Sequence, residues 1–164
     1  MGMTAMLGQL ALLLSLGGPA HLVNGGVCER AFCRCIPPTG AAGEIVRGQR
    51  ERATHVVLGR VVRIDSIAPR LVEHGPNQVE VRDLAARVAV SRVWKGPVVD
   101  TLTVVFGTTP IASSCDLTLQ AGSSYVIFAE LYESELRTRQ CTGTAAEVDA
   151  TATIAALGPA QEPK

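Results

Sequence analysis

Short apolar runs recur along the chain, cut by clusters of Gly, Pro and Ser. The first β-rich run is His55-Val56-Val57-Leu58-Gly59-Arg60-Val61-Val62-Arg63-Ile64. Its β-branched residues favour a strand, and Gly59 inside it predicts a bulge or bend. Residues 67–78 carry Pro69, Gly75, Pro76 and Asn77 and read as a loop between strands. Alternation resumes over 79–94, most clearly at Arg87-Val88-Ala89-Val90-Ser91-Arg92, where Val88 and Val90 share a face. Lys95-Gly96-Pro97 ends it in a turn. Thr101-Leu102-Thr103-Val104-Val105-Phe106 predicts a third strand, closed by Gly107, and a loop over 108–114 delivers Cys115. After a turn at 121–124, Tyr125-Val126-Ile127-Phe128-Ala129 is nearly all apolar, which predicts the most buried strand. Residues 135–140 predict a fifth strand leading into Cys141, and the short gap before it predicts a hairpin.

Helical signals are few. Residues 39–43 read as a flexible connector and 44–52 as a short helix with a narrow apolar face. Thr144-x-x-Glu147 is a capping box, which predicts a helix starting at Thr144. Val148, Ala152, Ala155 and Ile154 or Leu157 would supply its buried stripe, and Gly158-Pro159 would stop it. Residues 159–164 are expected to be a disordered tail. Five short antiparallel strands with a terminal helix make an all-β fold. A small closed β-barrel of the OB-type Greek-key form fits, and a sandwich fits the same order and spacing.

The opening of the chain changes the compartment. Residues 1–20 read as a secretory signal, with an apolar core over 7–16, the breakers Gly17, Gly18 and Pro19, and small residues at Gly18 and Ala20 that suit cleavage after Ala20. That core is too short to span a bilayer, and no later segment is expected to be transmembrane. The mature protein is expected to be soluble and secreted, extracellular or in the periplasm and cell envelope. Residues 21–32 form an N-terminal extension of open fate, and 33–158 one domain. Net charge is zero, with 15 basic and 15 acidic residues. That balance argues against a nucleic-acid partner or a polybasic membrane anchor.

Five cysteines in an exported chain imply disulfides with one sulfur left over. Cys33 and Cys35 are one residue apart, so a bond between them would be strained. Each is expected to reach a distant partner, Cys115 or Cys141, in a crossed or a nested arrangement. Either closes long loops worth ~4–5 kcal/mol each in the chain-entropy account. A four-thiolate metal site is the rival reading. Cys28 is the odd sulfur: a free thiol, an intermolecular bond or a lipid attachment point. Cys33-Arg34-Cys35-Ile36-Pro37-Pro38 thus becomes a doubly tethered, preorganised segment suited to presentation.

Six pieces carry a resemblance: that head, then Val56-x-x-Gly59-Arg60-Val61, Val93-Trp94-Lys95-Gly96, Ser113-Ser114-Cys115, Gly122-x-x-Tyr125-Val126-Ile127-Phe128-Ala129 and Leu136-x-Thr138-x-x-Cys141. In this order the chain resembles the tissue inhibitors of metalloproteinases (TIMPs) and the wider netrin-like (NTR) module, in a short single-domain version. The resemblance implies an OB-like barrel and the pairings Cys33–Cys115 and Cys35–Cys141. It also implies metalloproteinase (metalloendopeptidase) inhibition through a contact wedge of Cys33, Arg34, Cys35, Ile36 and Pro37, with Ser113, Ser114 and Asp116 alongside. In that mode the α-amine and carbonyl oxygen of Cys33 chelate the zinc of the target protease, displacing its bound water. No metal or cofactor of its own is expected in this mode. Cys33 must then be the mature N-terminus, and Arg34 occupies the place where the family favours Thr or Ser.

The second reading is a non-catalytic extracellular module that binds a protein or glycan without inhibiting a protease. An enzyme is not expected. His21, His55 and His74 lack metal-ligand spacing, Ser113-Ser114 lacks a nucleophile elbow, and Asp116 suits a turn cap. Trp94 reads as core, Lys95 as solvent-facing, His55 as a residue at the barrel edge, and Glu130, Glu133 and Glu135 as a solvated hairpin tip.

Overall fold

The computed structural model describes residues 39–74, 77–108 and 117–164. Helix α1 (Ala42–Arg52) is followed by β1 (His55–Ser66), β2 (Arg70–His74), β3 (Asn77–Lys95), β4 (Thr101–Thr108), β5 (Ser124–Tyr132) and β6 (Glu135–Arg137). A 3-10 turn at Gln140–Thr142, the short β7 (Ala145–Ala146), a second 3-10 turn at Glu147–Asp149 and helix α2 (Thr151–Leu157) complete the order. The fold is mostly β with a short terminal helix.

Five strands close a hydrogen-bonded ring. β1 pairs antiparallel with β3 and β5, β3 with β4, and β5 with β6, while β4 meets β6 in parallel. Alternation sorts the apolar residues into two clusters. Val57, Val61, Val88, Val104, Phe106, Tyr125 and Ile127 fill one. Val56, Leu58, Trp94, Val126 and Phe128 point the other way and pack with Val46 of α1 and Leu157 of α2. β5 contributes to both clusters, which is why its sequence is apolar without alternation. Gly59 sits at a register shift against β3, as the bulge reading expected. A Cβ there would lie 2.5 Å from Val88 Cγ1 and 2.6 Å from the Ala89 carbonyl oxygen, so only glycine lets the two backbones approach.

Four expectations are corrected. Within 67–78, expected as loop, β2 and the start of β3 pair from Arg70↔Val81 to His74↔Asn77. Pro69 lies just outside β2, so it bounds a strand rather than forbidding one. The fifth strand ends at Arg137 instead of Gln140, because the Thr138 hydroxyl turns inward to donate to the Phe128 carbonyl oxygen at 2.9 Å. The terminal helix starts at Thr151, not Thr144. The Thr144 hydroxyl accepts the Phe128 N–H at 2.9 Å and is unavailable as a cap. The late start turns the helix, so Val148, Ala152 and Ala155 are exposed while Leu157 is buried and Ile154 half-buried. Finally, the expected disordered tail is tied down: Gln161 and Val93 exchange backbone hydrogen bonds of 2.8 and 2.9 Å.

Candidate functional site

The expected wedge residues Cys33, Arg34, Cys35, Ile36, Pro37, Ser113, Ser114 and Asp116 lie outside the described residues, as do Cys28 and Cys115 and the segments 1–20 and 21–32. β4 and β6 run in the same direction where Val105 pairs with Arg137 and where Thr138 N–H donates to the Val105 carbonyl oxygen at 2.9 Å. The chain therefore leaves β4 at Thr108 and approaches Cys141 at the same end of the ring. Cys141 is disulfide-bonded.

The turn that carries Cys141 is held firmly. Thr138 and Thr144 are buried, with hydroxyls 2.6 Å apart, and both reach the Phe128 peptide groups. The Thr142 hydroxyl donates to the Arg139 carbonyl oxygen at 2.6 Å. Gly143, at φ 100°, lies so close to Gln49 that a Cβ would come within 2.6 Å of its amide. Residues 138–144 are thus clamped between β5 and α1. A covalent tether at Cys141 pulls against a rigid base, which keeps whatever it anchors preorganised.

A second cluster lies on the same seam. Asp83 of β3 is buried and accepts from Arg137 Nη2 at 3.0 Å and Arg70 Nε at 3.3 Å. Arg137 also donates to Glu135 at 2.7 Å, and its guanidinium carbon lies 5.9 Å from the centre of the Tyr132 ring. Burial disfavours the Arg137 charge most, but its hydrogen bonds to Glu135 and Asp83 and their negative charges together outweigh it and raise its pKa above the ordinary value. The arrangement binds β3 to β6 across β4 and needs no reacting partner. Sequence reading missed it because Asp83 and Arg137 are 54 residues apart. At the expected solvated tip Glu133 and Glu135 are exposed and Glu130 is half-buried, and Glu135 also accepts from Arg137.

An open cleft of about 570 Å³ lies between the segment 117–125 and the β7 region. Leu117, Gln120, Tyr125 and Val148 line it, and the Tyr125 hydroxyl accepts the Gln120 N–H at 3.0 Å.

Trp94 is buried, with Nε1 donating to the Gly158 carbonyl oxygen at 2.8 Å. Lys95, expected to face solvent, instead donates to the Arg50 and Glu51 carbonyl oxygens at 2.8 and 3.0 Å and closes the C-terminus of α1. His55 opens β1 with Nδ1 3.2 Å from Thr54 Oγ1, and burial lowers its pKa. Among the described residues no group of His, Cys, Asp and Glu could hold a metal ion, and no helix is long and apolar enough to cross a membrane. No family model matches the chain, and no curated protein matches it either.

Proposed function

We propose that this is a secreted binding protein of the TIMP and NTR kind, a metalloproteinase inhibitor built on an OB-type Greek-key barrel. The strand order carries the reading. Counted along the chain, the five ring strands β1, β3, β4, β5 and β6 stand around the ring as 1-2-3-5-4, with the third and fifth parallel. That crossing is the Greek-key order expected of an OB barrel. The clamped, disulfide-bonded Cys141 is the support such a wedge requires.

In this reading Cys35–Cys141 and Cys33–Cys115 fix Cys33-Arg34-Cys35-Ile36-Pro37 beside Ser113, Ser114 and Asp116. The free amine and carbonyl oxygen of Cys33 take the open position on the protease zinc. Action is by occupation, without catalysis and without a cofactor. The second reading, an extracellular module that binds a protein or glycan without inhibition, is favoured by the 12 residues from His21 to Phe32. While they remain, the Cys33 nitrogen is acylated and has no lone pair for zinc.

N-terminal sequencing of secreted protein, with non-reducing peptide mapping, separates the two. The inhibitor reading expects a chain starting at Cys33 that blocks a matrix-type or thermolysin-type zinc endopeptidase. A disulfide-intact chain starting at Cys33 that leaves both enzymes fully active overturns it.

A further inference from the structure

The outer face of the β1–β3–β4 sheet is where we infer a binding surface for an anionic polysaccharide bearing sulfate or carboxylate groups. The helices cover this face only over Val56, Leu58 and Trp94. Beyond them, the residues alternating with the inward Val61, Ile64, Ala86, Val88 and Val93 point outward. They include Arg60, Arg63, Arg87 and Arg92, all exposed. The carboxylates of this face are Asp65 and Asp83, the latter buried and already paired with Arg137 and Arg70, and Asp100 stands at its rim just before β4. The whole chain carries equal numbers of acidic and basic residues, so the face is a local excess of positive charge.

The pairing makes that excess costly to the protein alone. Arg63 and Arg87 are direct cross-strand partners. Like charges placed opposite each other in a sheet destabilise it. Among the described residues, the side chains of Arg87 and Arg92 make no hydrogen bond or ion pair. Arg63 uses Nε on Asp65 at 2.9 Å and Arg60 uses Nε on the Gly122 carbonyl oxygen at 3.0 Å. Each of those hydrogen bonds fixes the side chain and leaves the terminal amino groups of the guanidinium to donate outward. Guanidinium forks match sulfate and carboxylate oxygens two at a time. Paired strand positions set them about 5 Å apart at the backbone. A polymer with an anionic group on successive sugars would interleave with such a row and remove the Arg63–Arg87 repulsion.

A polysaccharide is chosen over nucleic acid or anionic lipid on two grounds. Between its arginines the face carries Ala89, Thr101 and Thr103, and among the described residues it exposes no aromatic ring for base stacking, Trp94 being buried under the helices. The expected export signal places the protein where polyanionic glycans are the polymers at hand. The inference rests on the proposed function only for that compartment and does not involve the wedge.

The test uses the secreted full chain on immobilised dextran sulfate and polygalacturonate, with neutral dextran as the blank. Binding to one or both polyanions, abolished as sodium chloride rises, is expected, and the stronger of the two identifies the anion. Arg87→Gln with Arg92→Gln should weaken it about a hundredfold, roughly tenfold for each guanidinium removed from the polyanion. Arg47→Gln with Arg139→Gln removes the same charge elsewhere and should change it less than about threefold. Free dextran sulfate should also raise the melting temperature of the unaltered protein. Retention on neither polyanion, equal weakening in the two double variants, no melting shift, or tighter binding to phosphatidylserine vesicles or duplex DNA than to both polysaccharides each overturns the inference. Failed inhibition of a zinc endopeptidase would leave all of these readouts intact.

Discussion

Replacing Asp83 with Ala should loosen the closure of the ring more than any other single change on its outer face. β6 has three residues, and the parallel junction with β4 rests on the Val105–Arg137 pair and the hydrogen bond from Thr138. The Asp83–Arg137 ion pair spans that narrow seam. The Asp83 side chain is 5% exposed, against 20% for Arg137 and 53% for Arg70. Removing one member of a fully buried pair costs about 3–5 kcal/mol. Here Arg137 keeps Glu135 and both arginines reach water, so we reduce the figure to ~2 kcal/mol. For a domain of this size that is a fall of roughly 6–10 °C in Tm. Asp83→Asn keeps an acceptor of the same shape and should cost about half as much. Arg70→Gln, at the exposed end, should cost under about 0.5 kcal/mol. Urea and thermal melts followed by far-UV circular dichroism and by fluorescence of Trp94, the sole tryptophan, read all three. A destabilisation below about 0.5 kcal/mol for Asp83→Ala, or an equal one for Arg70→Gln, would show that the pair does not hold the seam.

Two further expectations concern other elements. Glu133 and Ser134 turn the β5–β6 hairpin at φ 47° and 70°, a region that suits Asn and Gly. Glu133→Asn with Ser134→Gly should therefore stabilise the protein by about 1 kcal/mol, seen as a higher Tm. The lowered pKa of His55 means the unfolded chain binds its proton first as the solution is acidified. Stability from this group is complete above the ordinary histidine value of about 6.5 and is lost as pH falls through the lower folded value. Thermal melts from about pH 7.5 down to 5.5 should drop more steeply for the unaltered protein than for His55→Gln, and parallel slopes would refute this.

What could be read from the chain follows how local each signal is. The run Tyr125 to Ala129 announced its own burial, because a strand enclosed on both faces needs no polar positions. Gly59 announced a bulge, since a side chain there has no room. Trp94 was expected in the core and lies there. The β2 hairpin was hidden because Pro69 and its neighbours suggested loop more strongly than five residues could suggest strand. The Thr144 capping box misled because its hydroxyl is claimed by the Phe128 peptide, 16 residues away. Asp83 had no local signature at all, since its value depends on arginines brought in by other strands. Of the candidate site, the wedge expected from the resemblance lies outside the described residues, while the structure describes the clamp behind Cys141, which no motif indicated.

The hairpin that hangs beyond the ring has a bearing on how this protein behaves at high concentration. Ring closure occupies the hydrogen-bonding rows of its strands, whereas β2 meets a neighbour on one side only among the described residues. An open row of backbone donors and acceptors templates the addition of a strand from another molecule. Self-assembly, if conditions drive it, should nucleate at Arg70–His74, and a proline placed within those residues would be the most economical way to keep the protein monodisperse.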